Sequence, residues 1–243
     1  MGFKHRKTFV HMLEKHDQRY WIKLCGEHKR NLLNRGINRI FRWFQGTSDW
    51  ILHSGLDTKT RFLLEQKTLR TAYEKSLPVP KIIMEGRGLF VTECGGQPIT
   101  LPHEVHPKLR LQRAMDALVK FHQNEVIHGR PAMRDILINE SGSVTFVDFE
   151  EARISGCPNL MARDTLLLLL DSYRLNKVSQ KTRVEMLNQW LEEAGKGSQR
   201  AINCAARTLA ALRWLPKTVL VFKRNRLSRQ ILLLERVLQK GIR

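Results

Sequence analysis

The sequence has no apolar run long enough to cross a membrane, and it begins without an apolar signal core. Its longest apolar runs, such as residues 166–170, are far shorter than the roughly 20 residues that a spanning helix needs. The first fifteen residues are basic and lack the apolar stretch of a secretory signal. We therefore expect a cytoplasmic protein, and any membrane contact is expected to be peripheral, on the inner face of the cytoplasmic membrane.

Cysteine is also scarce. The four cysteines are Cys25, Cys94, Cys157 and Cys204, and no two of them are close in the sequence. A close pair would be needed to clip a metal ion or to form a tight disulfide. The spacing therefore predicts reduced thiols, as in a cytosolic compartment, and no zinc site.

Acidic residues are few, with 23 Asp and Glu against 42 Lys and Arg, and the formal net charge is +19 at pH 7. Such a charge indicates polyanionic partners, and nucleic acid, phosphorylated sugars and an anionic membrane surface all qualify. With 243 residues, of which 42% are hydrophobic, the chain can bury a sizeable core. It is expected to be globular, as one large domain or as two lobes around a cleft.

The pattern of apolar residues predicts a strand-rich first part followed by a helical second part. The first part is predicted to hold a hairpin, a helix and a second hairpin, at residues 8–14 with 19–25, 58–76, and 81–84 with 89–92. Two glycines then indicate a hinge at residues 93–97. This order predicts an α+β protein with an N-lobe at residues 1–92 and a mainly helical C-lobe at residues 98–243.

Several helices are predicted in the second part of the chain. One covers residues 109–123, and an unusually apolar one is expected to begin at Arg163 and to be buried in the lobe. Asp164, at that predicted start, could cap the helix or brace a neighbouring loop. Helical patterns continue from residue 181 to the end, with breaks at residues 195–198 and at Pro216.

One lysine and one glutamate are predicted to pair. Lys23 lies among apolar neighbours in a predicted strand, and Glu65 lies on the apolar stripe of a predicted helix, between Phe62 and Leu69. Burial of that carboxylate would require a cationic partner, and Lys23 is the natural candidate. The alternative for Lys23 is an ordinary lysine that keeps its head in water.

Two aspartates are predicted to meet at one end of a small hairpin. Asp135 follows a polar loop that begins at His128, and Asp148 follows the second strand of the hairpin. The two carboxylates could therefore share a metal ion. Backbone groups between Glu93 and Gly95 could bind an adenine ring, although a plain loop would have the same sequence.

These segments together resemble the bacterial lipopolysaccharide core kinases, which phosphorylate heptose or 3-deoxy-octulosonic acid and belong to the protein-kinase-like superfamily. The resemblance covers about residues 6 to 175. The motifs that carry it are Arg-Lys-Thr-Phe at 6–9, Arg-Tyr-Trp-Ile-Lys-Leu at 19–24, Leu-Glu at 64–65, Leu-Pro-Val-Pro at 77–80, His128, and Asp-Phe-Glu at 148–150.

The resemblance implies a bilobal kinase fold that uses ATP and Mg²⁺ to phosphorylate a core sugar or a similar cell-envelope acceptor. It also implies roles for individual residues at the nucleotide: Lys23 would bind the α and β phosphates, Glu65 would orient Lys23, and Glu93 and Gly95 would bind the adenine. Asp135 and Asp148 would hold Mg²⁺. His128 would brace the loop, and Arg130 would contact the acceptor or the γ-phosphate.

The sequence departs from this family in two ways. Arg130 occupies the position of the catalytic Asp, and a guanidinium group cannot accept a proton. No glycine-rich loop precedes Lys23. Asp135 could serve as the base or as a metal ligand. The alternative function is therefore a pseudokinase, a binding or regulatory module that keeps the fold but transfers phosphate inefficiently.

Two segments are strongly basic. Residues 27–44 form a basic amphipathic segment, and the tail from Arg213 has nine Lys and Arg but one acidic residue, Glu235. These patterns suit a polyanionic surface. The expected partners are an anionic glycolipid or phosphorylated sugar acceptor and an anionic membrane. Nucleic acid is the less favoured alternative because no interleaved aromatic platform or binding motif is present.

Overall fold

The computed structural model describes residues 9–16, 18–26, 57–222 and 225–241. Within them the chain is a mixed α+β protein, with a small antiparallel sheet near the N-terminus followed by a mainly helical part. The coarse fold prediction is therefore confirmed. The predicted basic segment 27–44 and Thr8, at the start of the first predicted strand, lie outside the described residues.

The first part of the described chain is a four-stranded antiparallel sheet with one helix against it. Its elements are β1 (Val10–Lys15), β2 (Gln18–Leu24), α1 (Thr58–Glu74), β3 (Ile82–Gly86) and β4 (Leu89–Glu93). The spatial order of the strands is β1-β2-β4-β3. The predicted hairpins and helix are thus present, with nearly the predicted bounds.

Helix α1 begins at a capping aspartate and packs on the sheet through an aromatic contact. The side chain of Asp57 accepts hydrogen bonds from the backbone amides of Lys59 and Thr60, which stabilises the helix start. The rings of Phe62 and Phe90 lie 5.2 Å apart between centroids. Lys23 is the cross-strand partner of Phe90, so both side chains point to the face that α1 covers.

Five short strands follow the first sheet in the chain, one before and four after the next helix. They are β5 (Gln97–Pro98), β6 (Val126–Ile127), β7 (Ile136–Ile138), β8 (Val144–Phe146) and β9 (Arg153–Ile154), with a 3₁₀ turn at Met133–Asp135. Strands β5, β7 and β8 form one small antiparallel sheet, and β6 pairs with β9. Residues of the predicted loop and hairpin line one cavity together with residues of the first sheet.

The rest of the described chain holds a 3₁₀ turn at Ser172–Arg174 and six α-helices: α2 (Pro107–Gln123), α3 (Pro158–Asp171), α4 (Gln180–Glu193), α5 (Lys196–Ala211), α6 (Trp214–Phe222) and α7 (Arg226–Gly241). The leucine-rich α3 is central, and Leu168 and Leu169 are fully buried, as the apolar pattern predicts. The predicted break at Pro216 is wrong, because Pro216 lies in the first turn of α6, where a missing backbone donor costs little.

The start of α3 was predicted wrongly. The helix begins at Pro158 rather than at Arg163, because a proline suits the first turn of a helix and continues it into the leucine run. Asp164 therefore lies inside the helix and cannot be its cap.

No helix of the described chain is both long and apolar enough to span a membrane. All four cysteines lie within the described residues and are free thiols, as their spacing predicts.

Gly129 provides a test of the fold. Its φ is +92°, and a Cβ placed there would lie 2.1 Å from the carbonyl oxygen of Glu151. Because the backbone conformation and the close approach both exclude a side chain, Gly129→Ala should lower the free energy of unfolding by about 3 kcal/mol in urea denaturation. Gly86→Ala is the control, since its Cβ would make an ordinary 3.4 Å contact with Leu89. Equal effects of the two substitutions would contradict this description of the loop.

Candidate functional site

Lys23 and Glu65 form the predicted ion pair. The Nζ atom of Lys23 lies 2.5 Å from Oε2 of Glu65, and the two side chains are 14% and 3% exposed. Lys23 comes from β2 and Glu65 from the sheet-facing side of α1, one turn beyond Phe62. The alternative of an ordinary surface lysine is therefore wrong.

Lys23 contacts two more carboxylates. Its Nζ atom lies 2.9 Å from Oε1 of Glu150 and 3.6 Å from Oδ1 of Asp148. Burial by itself lowers the pKa of Lys23, but the charges of Glu65, Asp148 and Glu150 raise this pKa well above its ordinary value. Burial raises the pKa of Glu65 to about 7, although the Lys23 charge works in the opposite direction. Lys23 is therefore charged at neutral pH.

Glu150 also joins the loop after β8 to helix α1. Its Oε2 atom lies 3.3 Å from Nη1 of Arg61, and the Glu150 side chain is 9% exposed. In the sequence, Glu150 is only the last residue of an Asp-Phe-Glu motif and has no assigned role. Its distance in sequence from Lys23 and Arg61 does not predict these ion pairs, because they form only when the sheet, the helix and the loop come together.

Part of this charged cluster lines one end of a cavity of about 350 Å³. Lys23, Glu65, Asp135 and Asp148 all contribute to its wall. The rest of the wall is largely apolar and includes Val10, Leu69, Phe90, Leu137 and Val147. The volume and the mixed lining are typical of a site for a small molecule with one apolar part and one charged part.

Asp135 and Asp148 face this cavity from neighbouring turns, as predicted. Asp135 ends the 3₁₀ turn before β7, and its Oδ1 atom lies 3.3 Å from Nε of Arg134. Asp148 has a φ of +68°, a conformation that costs energy and that recurs at functional sites. The geometry thus brings both predicted metal ligands to the same cavity as Lys23.

The two carboxylates fit a Mg²⁺ ion that arrives with phosphate groups. In the described part of the chain, no group of three or more His, Cys, Asp or Glu side chains is arranged to hold a metal ion. Mg²⁺, however, commonly takes one or two carboxylates and completes its shell with water and substrate phosphates. The donors here are hard oxygen ligands of this kind.

His128 and Gly129 are held by a buried aspartate of α3. Asp164, which is fully buried, accepts hydrogen bonds from the backbone amide of His128 at 2.7 Å and from that of Gly129 at 3.1 Å. The His128 ring lies 3.0 Å from the Val147 carbonyl oxygen through Nε2 and 4.5 Å from the Phe149 ring between centroids. Asp164 therefore braces the loop, and His128 links the loop to the segment that carries Asp148.

Arg130 lies between two carboxylates. Its Nη2 atom is 3.5 Å from Oδ2 of Asp148, and its Nε atom is 3.5 Å from Oε1 of Glu151. Burial raises the pKa of Glu151, although the charges of Arg130 and Arg163 oppose the shift. Glu151 was not singled out in the sequence. Arg130 thus supplies positive charge next to a predicted metal ligand, and its contact with an acceptor or a γ-phosphate remains a prediction.

Of the two residues predicted to bind the adenine, Glu93 lines the cavity and Gly95 does not. Glu93 and Gly96 line the cavity. At Gly95, an added Cβ would lie 2.8 Å from the side chain of Thr145, so this glycine packs against β8. The close approach explains why a glycine is needed there, and it leaves Gly96 as the hinge glycine beside the cavity.

No family model matches the chain. The chain is similar to an uncharacterized protein of Haemophilus influenzae, with 29% identity over 175 residues. The match covers 70% of this chain and 64% of that protein, so the chain spans less than two thirds of this relative's length.

Buried His128 predicts a specific pH dependence of stability. Burial lowers its pKa below the ordinary value of 6.5, so the folded protein keeps the ring neutral. Below pH 6.5 the unfolded chain binds a proton at this residue that the folded protein does not. The free energy of unfolding therefore decreases as the pH is lowered. His128→Gln keeps an amide donor near Val147 but cannot titrate. Between pH 7.5 and 5.5, the wild type should lose about 1 kcal/mol more than this variant in urea denaturation. Parallel losses would show that the ring is not held neutral.

Proposed function

We propose that this chain is an ATP- and Mg²⁺-dependent phosphotransferase of the lipopolysaccharide-kinase type, with a protein-kinase-like fold of two lobes. The observation that carries the proposal is the ion pair between Lys23 and Glu65, which lines one cavity together with Asp135 and Asp148. A lysine oriented by a helix glutamate, beside two metal-binding carboxylates, is the arrangement by which kinases bind nucleotide phosphates.

The cavity suits the two parts of ATP. The apolar wall formed by Val10, Phe90 and Leu137 can take the adenine ring, and the hinge residues Glu93 and Gly96 would lie at its edge. The phosphates would lie at the other end, against the charged Lys23 ammonium group. Lys23 already contacts three carboxylates. Phosphate oxygens would take the place of some of these anionic contacts.

Mg²⁺ would be held by Asp135 and Asp148 together with the nucleotide phosphates, and its positive charge would offset the charge that develops during transfer. In that transfer, an acceptor hydroxyl oxygen bonds to the γ-phosphorus, the bond from the γ-phosphorus to ADP breaks, and the hydroxyl proton leaves to water or to a carboxylate. Positioning and charge supply most of the rate in such reactions.

The acceptor in this proposal is a core sugar or a similar cell-envelope molecule with anionic groups. The high positive charge of the chain supports an anionic acceptor. Arg134, whose side chain is 58% exposed next to Asp135, is well placed to meet its phosphate or carboxylate groups, because guanidinium groups bind both in a bidentate manner.

A pseudokinase is the second candidate, and the contact between Arg130 and Asp148 favours it. At 3.5 Å the guanidinium group already offsets the charge of a predicted metal ligand. Arg130 also cannot accept the acceptor's proton, and a positioned base usually contributes about 10² to 10⁴-fold. Such a protein would bind nucleotide without efficient transfer.

Binding and turnover measurements test the proposal. ATP with Mg²⁺ should raise the thermal unfolding midpoint of the wild type, because a ligand that binds only the folded state stabilises it. Lys23→Met should abolish this shift. Arg70→Ala is the control. Arg70 also forms an ion pair from α1 to the sheet, with Glu85 at 2.6 Å, but its own side chain is exposed. The shift that nucleotide causes in this variant should equal that of the wild type.

Phosphate transfer to an envelope glycolipid should fall at least about 100-fold in Asp148→Asn, which keeps the side-chain shape but removes the metal-binding charge. If the protein binds nucleotide but shows no turnover that is lost in Asp148→Asn, the result would favour the pseudokinase. The absence of any nucleotide binding would contradict both candidates.

A further inference from the structure

Helix α6 presents apolar side chains to solvent. Trp214 is 54% exposed and Val221 is 78% exposed, the highest value for a large hydrophobic side chain in the described chain. Trp214, Lys217, Thr218 and Val221 follow one another at helical spacing and are all exposed, so they share one face. Apolar side chains grouped on one exposed surface mark contacts with another molecule or a membrane more often than those scattered singly.

Helix α7, which packs against α6, presents a basic stripe. The exposed residues Arg226, Arg229, Arg236 and Lys240 recur at spacings that bring them to one side of the helix. The acidic residue of this helix, Glu235, is 3% exposed and faces inward, where its carboxylate lies 3.9 Å from Arg213 and 2.6 Å from Nε2 of Gln239. All charged residues on the outward face of α7 are thus cationic.

We propose that α6 and α7 dock this protein on the surface of an anionic lipid bilayer. The stripe of α7 attracts the lipid headgroups, and Trp214 and Val221 of α6 enter the boundary between headgroups and acyl chains. Interfacial helices combine these two features, with basic residues on the polar side and tryptophan or aliphatic residues on the other. With nine residues, α6 lies along the surface and does not cross the bilayer.

Nucleic acid would use the basic stripe but not the apolar face. Phosphate contacts need cations, and single strands also need several aromatic side chains on which bases stack. On α6, Trp214 is accompanied by an exposed Val221 instead. The two faces together therefore favour a bilayer, whose surface offers both negative charge and an apolar interior.

This proposal does not rest on phosphate transfer. The residues of α6 and α7 are absent from the wall of the candidate site cavity, so membrane docking and catalysis can fail separately. A protein that binds vesicles without binding ATP would keep this proposal and lose the proposed function.

Vesicle flotation with the full chain tests the docking surface. The wild type should float with vesicles that contain phosphatidylcholine and phosphatidylglycerol, and it should remain behind with phosphatidylcholine alone. Arg229→Gln combined with Arg236→Gln should weaken binding about 25-fold, since each cation near the surface contributes about fivefold. The control is Lys81→Gln combined with Arg87→Gln, two exposed cations of the sheet region. It makes the same change in net charge and should bind like the wild type.

Tryptophan fluorescence tests the apolar face. The chain has five tryptophans, and entry of Trp214 into the bilayer should shift the emission to shorter wavelength on addition of anionic vesicles. Trp214→Phe should remove that shift and still float, while Val221→Ser should weaken flotation several-fold. No flotation with anionic vesicles, equal loss in the stripe and control variants, or tighter binding to duplex DNA than to vesicles at physiological salt would each overturn the proposal.

Discussion

The buried ammonium group of Lys23 is the interaction on which the rest of the site depends. It contacts carboxylates from helix α1 and from the loop after β8, namely Glu65, Glu150 and Asp148. A buried charge is tolerated only when it is paired, and removal of one partner leaves the others uncompensated. Lys23 therefore fixes the position of the sheet relative to both α1 and the loop, and it does so at the charged end of the cavity.

A second set of interactions fixes the loop from below. Asp164 accepts two backbone hydrogen bonds from His128 and Gly129, and His128 in turn contacts Val147. Hydrogen bonds to a buried carboxylate are stronger than neutral ones. Asp148 is next in sequence to Val147, so its position is determined both by Lys23 and by the His128 contact. Two such constraints are consistent with its strained backbone.

Sequence reasoning could find the parts of this arrangement that have a local signal. The pairing of Lys23 with Glu65 was predictable because a carboxylate on an apolar helix stripe needs a cation, and strand alternation placed one nearby. Glu150 gave no such signal, since its partners are remote in sequence. The shift from Gly95 to Gly96 at the cavity was also out of reach, because it depends on which glycine packs against Thr145.

The central claim is that this cavity binds ATP with Mg²⁺, in spite of the arginine at position 130. A crystal structure with a non-hydrolysable ATP analogue and Mg²⁺ tests it most directly. The account predicts phosphate oxygens beside Nζ of Lys23 and an ion shared by Asp135 and Asp148. A nucleotide bound elsewhere, or a cavity in which Arg130 still contacts Asp148 and no nucleotide is present at saturating concentration, would contradict the account.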